Sequence, residues 1–209
     1  ELNDGYTLDS KQVDKKTDIH HILKAIPGVF VQEEEGEGHR PNIGFRGTHP
    51  HRSKKITLLE DNILIAPAPY SAPAAYYFPT LENINSMEVF KGPSSTKYGP
   101  NSLGGALNLK SRDYFIDNQF KARFHLGSFS EHMVDFAYGN NTRGWSWLTH
   151  GTYNKSKGFK QLDSNKPTGY EKANVGFKVK KILEKKNNQS IEVLFNFAQE
   201  DSNETYLGL

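Results

Sequence analysis

Regular alternation of apolar and polar residues in the second half of the chain limits the possible folds more than any other feature. Three segments near residues 136, 177 and 194 show it, and a less regular one covers Trp145–Tyr153. Because successive side chains of a β-strand point to opposite faces, each segment predicts a strand with one apolar face. The most regular segment, at residues 120–126, brings the number of such segments to five. Residues 114–209 are therefore expected to form five antiparallel strands of about ten residues. The apolar positions of the most regular segment are Phe120, Ala122, Phe124 and Leu126.

Two kinds of protein share this pattern. Outer-membrane barrels turn apolar residues to lipid and polar residues to the lumen, whereas a soluble antiparallel sandwich solvates one polar face. Known outer-membrane barrels begin at ~8 strands, and an open sheet edge cannot lie in lipid. The barrel alternative therefore predicts further strands after Leu209. The aromatic residues that fit a girdle at the membrane interface are Trp145, Trp147, Tyr153 and Tyr170.

Composition excludes several other classes of protein. The 209 residues include no cysteine, which rules out disulfide scaffolds, thiol catalysis and cysteine-based zinc sites. The 26 basic and 24 acidic residues leave a net charge of +2, which gives no sign of nucleic-acid binding. Since no stretch approaches the ~20 apolar residues of a spanning helix, a membrane role would depend on strands or on peripheral contact.

Residues 1–113 mix helix and strand signals. Thr17 is a suitable N-cap for a helix with apolar residues on one face, and Pro27-Gly28 would end it. Ala66–Pro79 contains four prolines, so we expect a long loop without regular structure there. The apolar helix positions are Ile19, Ile22, Leu23 and Ile26, and short strands are predicted at 29–31, 43–46, 56–59, 63–65, 87–90 and 105–109, with a turn at Asp61-Asn62.

Five motifs in this first half occur in an order and at spacings that are typical of one protein family. Five motifs in register are much harder to match by accident than one. Over about residues 7–113, the chain resembles the plug domain of TonB-dependent outer-membrane receptors, and residues 48–79 are similar to the ferric-citrate receptor branch of that family. The motifs are ILKAIPGV (Ile22–Val29), GFRG (Gly44–Gly47), LLEDNILI (Leu58–Ile65), MEVFKGP (Met87–Pro93) and YGPNSLGGALNL (Tyr98–Leu109).

The resemblance implies a fold in two parts. Residues 1–113 would form an α+β plug domain with a small mixed sheet. Residues 114–209 would form the first strands, about five, of a large antiparallel transmembrane β-barrel that this chain leaves incomplete. The protein would lie in the outer membrane of a Gram-negative bacterium, in contact with its lipid. The segment that engages TonB, and any signalling domain, would precede Glu1.

The resemblance also implies a function. Receptors of this family bind a scarce metal chelate at the outer face, and the TonB energy-coupling complex of the inner membrane pulls on the receptor to open the plugged lumen. The cargo undergoes no covalent chemistry, so we expect neither an enzyme nor a cofactor, and nucleic acid is not an expected partner. The expected cargo is iron(III) as ferric citrate. A nickel complex, a siderophore and haem are alternatives.

Two basic residues match plug positions that pair with barrel glutamates in the family. Arg46 in GFRG and Lys91 in FKGP would hold the plug in the lumen and release it under load. The family often has Arg at the second position. Because Lys lacks the bidentate geometry of Arg, its contact is expected to be weaker. The alternative is that both residues are ordinary surface charges.

Two loops match the plug apices that touch the ligand in the family. Arg40 and a protonatable His39 suit an anionic chelate. Glu37 does not, and Glu33–Glu35 add negative charge, so a solvated acidic loop is the alternative. Tyrosines of the second loop would pack against the chelate or against the barrel wall. The ligand-binding residues that the resemblance implies are Glu37, His39, Arg40, Tyr70, Ser71, Tyr76 and Tyr77.

Other functions agree less well with the residues. Gly92–Gly99 (GPSSTKYG) lacks the GK[ST] ending of a phosphate-binding loop, and Gly36-x-Gly38 lacks the third glycine of a dinucleotide motif. His49 and His51 lie close to Arg52 and two lysines, which oppose a metal cation, so no metal site is predicted. A soluble β-rich module that binds sugars through its tyrosines is the remaining alternative.

Overall fold

The computed structural model describes residues 5–8, 19–33, 39–65, 77–99, 102–160, 168–184 and 189–203. The chain divides into two compact units, and the division falls between Arg112 and Asp113. Among the described residues, no helix combines the length and the apolar character that crossing a membrane requires.

The first unit combines an α-helix with a five-stranded sheet and a separate pair of strands. Its elements in chain order are β1 (Gly5–Leu8), α1 (Ile19–Lys24), β2 (Val29–Gln32), β3 (Asn42–Phe45), β4 (Ile56–Glu60), β5 (Ile63–Leu64), β6 (Ile84–Phe90) and β7 (Gly105–Ser111). The sheet has the order β1-β6-β7-β4-β5 and is mixed, because β4 and β7 are parallel while the other neighbours are antiparallel. β2 and β3 form an antiparallel ribbon of their own.

The core of this unit is formed by one face of α1 and by inward-facing strand residues. α1 has six residues, whereas an isolated helix needs roughly 12–15 to be even marginally stable in water, so its stability depends on packing. Its buried apolar residues confirm the predicted helical face, and burying each contributes about 1.5–3 kcal/mol. Core side chains include Ile19, Ile22, Leu23, Ile26, Ile43, Phe45, Met87, Leu107 and Leu109.

Gly105 allows three strands to meet at the start of β7. Its φ is +143°, a conformation that L side chains rarely adopt. A Cβ at this position would lie 2.4 Å from the Phe90 carbonyl oxygen and 2.5 Å from the Phe45 ring. Such a close approach of backbone to its neighbours requires glycine, which explains the glycine pair at this point of the fifth motif.

The second unit is a sheet of five consecutive antiparallel strands, as the alternation predicts. Neighbours in the chain are neighbours in the sheet. The turn at Arg143-Gly144 has φ values of 49° and 76°, which suit a two-residue hairpin turn. The strands are β8 (Gln119–Leu126), β9 (His132–Thr142), β10 (Trp145–Ser156), β11 (Tyr170–Glu184) and β12 (Gln189–Ser202).

Burial in this second sheet is the reverse of burial in a soluble protein. On one face of β9 and β11 large apolar side chains are exposed, and Phe136 and Val175 are 38% and 50% accessible. On the other face polar side chains are buried, and Asp135 and Asn174 are 2% and 3% accessible. A soluble sandwich buries its apolar face, whereas a transmembrane barrel turns that face to lipid. The burial pattern therefore favours the barrel alternative.

Cross-strand hydrogen bonds satisfy the buried polar face. The Arg123 guanidinium donates to Asp135 Oδ2 over 3.0 and 2.9 Å, and Thr152 Oγ1 donates to Asp135 Oδ1 over 3.2 Å. Asn174 Nδ2 donates to Asn196 Oδ1 over 2.8 Å. Because an unpaired buried polar group costs about 1–3 kcal/mol, these bonds are needed to keep polar side chains on a buried face.

The predicted fold class is confirmed: an α+β unit with a mixed sheet precedes consecutive antiparallel strands. Element limits differ in places. β1 was not predicted, because its four residues pair with a strand far along the chain. The strand predicted at 43–46 ends at Phe45, because Arg46 has a φ of 51° and leaves the extended conformation. The predicted N-cap Thr17 lies outside the described residues.

Candidate functional site

The first predicted ligand loop connects β2 and β3. These strands are antiparallel with Gln32 opposite Asn42, so the chain reverses at this end of the ribbon. His39 and Arg40 lie just before β3 and are half-buried. Glu37 lies outside the described residues. The structure therefore places two of the predicted ligand residues at the end of the ribbon.

One acidic residue of this connection has a basic partner. Glu33 forms an exposed ion pair with Lys24 of α1, with 2.8 Å between Oε1 and Nζ. Such a pair adds ~0–1 kcal/mol to stability, but it offsets one of the acidic charges. From residue 38 to residue 59 the chain has five Arg or Lys and three His, but no Asp or Glu. This run therefore suits an anionic ligand.

A second basic segment, His49–Ser53, is held at the same end of the ribbon. Asn42 Oδ1 accepts a hydrogen bond from the Arg52 amide over 2.6 Å, and Ser53 Oγ donates to the Pro41 carbonyl over 3.0 Å. The side chains of His49, His51 and Arg52 are exposed. These residues were not predicted as ligand contacts, because no motif joins them to Arg40. The run of basic residues without a carboxylate was the signal available in the sequence.

Tyr77 is the part of the second predicted ligand loop that the structure describes. It is half-buried, and its hydroxyl donates to Glu60 Oε2 over 3.1 Å, so here the structure shows an internal contact. Burial raises the pKa of Glu60 to about 6; the Tyr77 hydrogen bond opposes the shift, and the charge of Asp61 adds to it. The other predicted residues of this loop lie outside the described part of the chain: Tyr70, Ser71 and Tyr76.

The two predicted anchor residues converge on the turn that follows α1. Lys91 Nζ donates to the Pro27 carbonyl, and the Arg46 amide donates to the Gly28 carbonyl over 3.0 Å. Gly28 has a φ of +72°, which lets the chain reverse between the helix and β2. Sequence motifs gave no sign that residues from three separate segments share this turn. Pairing of Arg46 and Lys91 with barrel glutamates stays a prediction.

The histidines and the serine-rich segment have local structural contacts. No three His, Cys, Asp or Glu side chains within the described ranges are placed to hold a metal ion. His49 and His51 lie edge to face, with ring centroids 6.2 Å apart. Gly92–Tyr98 is a 3-10 helix in which the Ser95 and Thr96 hydroxyls donate over 2.7 Å to carbonyls three residues earlier. Those hydroxyls stabilise the turn.

Sequence relatives include known transporters. The vitamin B12 transporter BtuB of Vibrio vulnificus strain YJ016 is 28% identical over 136 residues, which cover 65% of this chain and 20% of the relative. BtuB of strain CMCP6 is 25% identical over 178 residues, which cover 81% and 28%. The chain therefore spans less than a third of the length of these relatives.

Solved structures and a family comparison agree on the fold. The unliganded ferric citrate transporter FecA matches with a TM-score of 0.79 and 19% identity, over 96% of this chain and 31% of that one. The siderophore receptor PirA from Acinetobacter baumannii matches with a TM-score of 0.70 and 19% identity, over 94% and 31%. Residues 6–106 match the TonB-dependent Receptor Plug Domain family. Residues 6–106 of this chain therefore form a plug domain of the TonB-dependent receptor type.

Proposed function

We propose that this chain is the plug and the first strands of a TonB-dependent outer-membrane transporter that takes up an anionic ferric chelate, with ferric citrate as the favoured cargo. Residues 1–113 are the plug, and residues 114–209 are the strands. One observation carries the proposal: a plug domain is followed by a sheet with an exposed apolar face and a buried polar face. An open edge is unstable in lipid, so the proposal includes closure into a barrel.

Energy for transport would come from the TonB complex of the inner membrane. The plug blocks the lumen of a barrel in a Gram-negative outer membrane, and force from TonB opens a path past it. The cargo is moved without any bond being made or broken, so the proposal assigns no catalytic residue. Arg46 and Lys91 are the proposed anchors between plug and barrel, and Arg46→Ala is expected to raise amide hydrogen exchange in the plug.

The basic residues at the end of the first predicted ligand loop support an anionic cargo. Arg40 and His39 lie at the start of a basic run without carboxylates, and arginine recognises carboxylates through two parallel hydrogen bonds. The structural likeness to a ferric citrate transporter agrees with this choice. Vitamin B12 is the second candidate cargo, since two relatives are named as its transporters. The proposed contacts with Glu37, Tyr70, Ser71 and Tyr76 stay predictions.

Ligand titration of the complete receptor in detergent tests the cargo. Tryptophan fluorescence is followed while ferric citrate, iron-free citrate, nickel–citrate, a hydroxamate siderophore and cyanocobalamin are added separately. We expect saturable quenching by ferric citrate at concentrations where the other four give none. Arg40→Ala is expected to weaken that binding about tenfold, because a charge-assisted hydrogen bond is lost.

Each ligand that binds instead has its own meaning. Saturation by cyanocobalamin alone would replace ferric citrate with the second candidate. Selective binding of the siderophore or of nickel–citrate would keep a transporter and change its cargo. Failure of the receptor to enter outer membranes on expression in a Gram-negative host would contradict the transporter itself.

A further inference from the structure

The basic turn at His49–Ser53 carries an inference beyond the ligand residues named above. We propose that Arg52 is a second cationic contact for the cargo, beside Arg40, and that Asn42 is the residue that positions it. The cargo class is a polycarboxylate chelate. This inference rests on the proposed uptake of an anionic chelate.

Arg52 is held in a strained backbone conformation. Its φ and ψ are 53° and 25°, and the next residue, Ser53, also has a φ of 53°. The left-handed region costs a residue with a Cβ about 1–2 kcal/mol. Two such residues in succession persist because their surroundings impose the conformation, and strain of this kind is concentrated at functional sites.

Hydrogen bonds to the start of β3 impose this conformation. Besides the bond from the Arg52 amide to Asn42 Oδ1, the Ser53 hydroxyl donates to the Pro41 carbonyl and accepts from the Ile43 amide, each over 3.0 Å. Ser53 is fully buried and Asn42 almost so. Because Pro41 directly follows Arg40, the backbone of Arg52 is fixed relative to the backbone of Arg40.

The side chain of Arg52 is free to contact a ligand, although its backbone is fixed by buried residues. It is exposed, while the two residues that fix its position, Asn42 and Ser53, are buried. A guanidinium presents a planar fork of donors that matches a carboxylate, and a fixed backbone lowers the entropy lost on binding. Two guanidinium groups on one anchored frame suit a ligand with several carboxylates better than an uncharged ligand.

Lys55 provides a matched control within the same segment. It carries the same charge as Arg52, is also exposed and lies three residues further along the chain. It is followed by β4 and has no part in the hydrogen bonds between the turn and Asn42. A general attraction of anions to the basic run would be reduced equally by removing either charge.

The test uses the complete receptor and ferric citrate as the probe. Arg52→Gly removes the fork and suits the left-handed φ, so we expect the melting temperature to stay equal or rise while the Kd for ferric citrate rises about tenfold. Lys55→Gln is expected to change the Kd less than about twofold. Arg52→Lys keeps the charge without the fork and is expected to fall between them.

A double-mutant cycle tests the positioning role of Asn42. If Asn42 acts through Arg52, Asn42→Ala weakens ferric citrate binding in the wild-type background and has little further effect in Arg52→Gly. Additive effects of the two substitutions would overturn the positioning role. A Kd for Arg52→Gly equal to that of Lys55→Gln would overturn the contact itself. Absence of ferric citrate binding by the wild-type receptor would instead reject the proposed cargo, and the inference with it.

Discussion

Replacing Glu60 by glutamine should stabilise the first unit at neutral pH. Glu60 ends β4, and burial raises its pKa from 4.5 to about 6, so its ionised form is disfavoured in the folded state. Glutamine is uncharged and keeps an oxygen that can accept the hydrogen bond from Tyr77, which spans 3.1 Å in the wild type. The substitution therefore removes the charge and leaves the contact in place.

The expected gain follows from the size of the pKa shift. A shift from 4.5 to about 6 corresponds to about 2 kcal/mol, at ~1.4 kcal/mol for each pKa unit. Because the folded pKa is the higher one, the folded state binds the proton more tightly. The stability that protonated Glu60 contributes is complete below pH 4.5 and is lost as the pH rises through about 6. The gain from glutamine is therefore expected above pH 6.

Amide hydrogen exchange in the complete receptor measures this gain. At pH 7.5 the amides of β4 and of its neighbour β7 should exchange about 30-fold more slowly in Glu60→Gln, which is the equivalent of about 2 kcal/mol. At pH 4 the two proteins should exchange alike. Glu88→Gln is the control with the opposite expected sign, since it removes the carboxylate that pairs with Lys110, whose Nζ lies 3.6 Å from Glu88 Oε2. Unchanged or faster exchange in Glu60→Gln at pH 7.5 would refute the reasoning.

Three further substitutions test other parts of the molecule. Gly105→Ala should destabilise the first unit by about 3 kcal/mol or more, because a Cβ overlaps the Phe90 carbonyl, and undiminished exchange protection of β7 would contradict this. Asp135→Ala leaves the Arg123 guanidinium without its carboxylate and should cost about 2–4 kcal/mol, read as a lower melting temperature. Phe177→Arg, on the exposed apolar face, should cost about 2–4 kcal/mol for folding into lipid vesicles; folding with wild-type efficiency would argue against lipid contact there.

Sequence patterns predicted those elements whose signal repeats along the chain. β8 and β12 were predicted because alternation over seven or more residues is typical of strands, and hairpin neighbours need only short turns. The strand β1 was missed because four residues, GYTL, do not define a period. The alternation also left two alternatives, sandwich and barrel. Side-chain exposure separates them, because it shows which face is buried.

The candidate site was harder to predict because its contacts are not local. Arg40 was identified from a motif position. The position of Arg52 beside Arg40 depends instead on the side chain of Asn42, ten residues earlier in the chain. Positive φ values at Arg52 and Ser53 run against the preference of both residue types, so local propensity points away from this turn. Local rules fail in this way where tertiary contacts impose a strained conformation.

The Pro27–Gly28 turn connects the stability of a short helix to both predicted anchor residues. Lys91 and Arg46 each donate a hydrogen bond to a carbonyl of this turn. The turn follows α1, whose six residues depend on buried side chains such as Leu23 for their stability. Since one such side chain contributes about 1.5–3 kcal/mol, loss of a few contacts would displace the turn and remove an internal partner from both residues together. How firmly Arg46 and Lys91 are held therefore depends on local packing of the helix as well as on any ion pair they form.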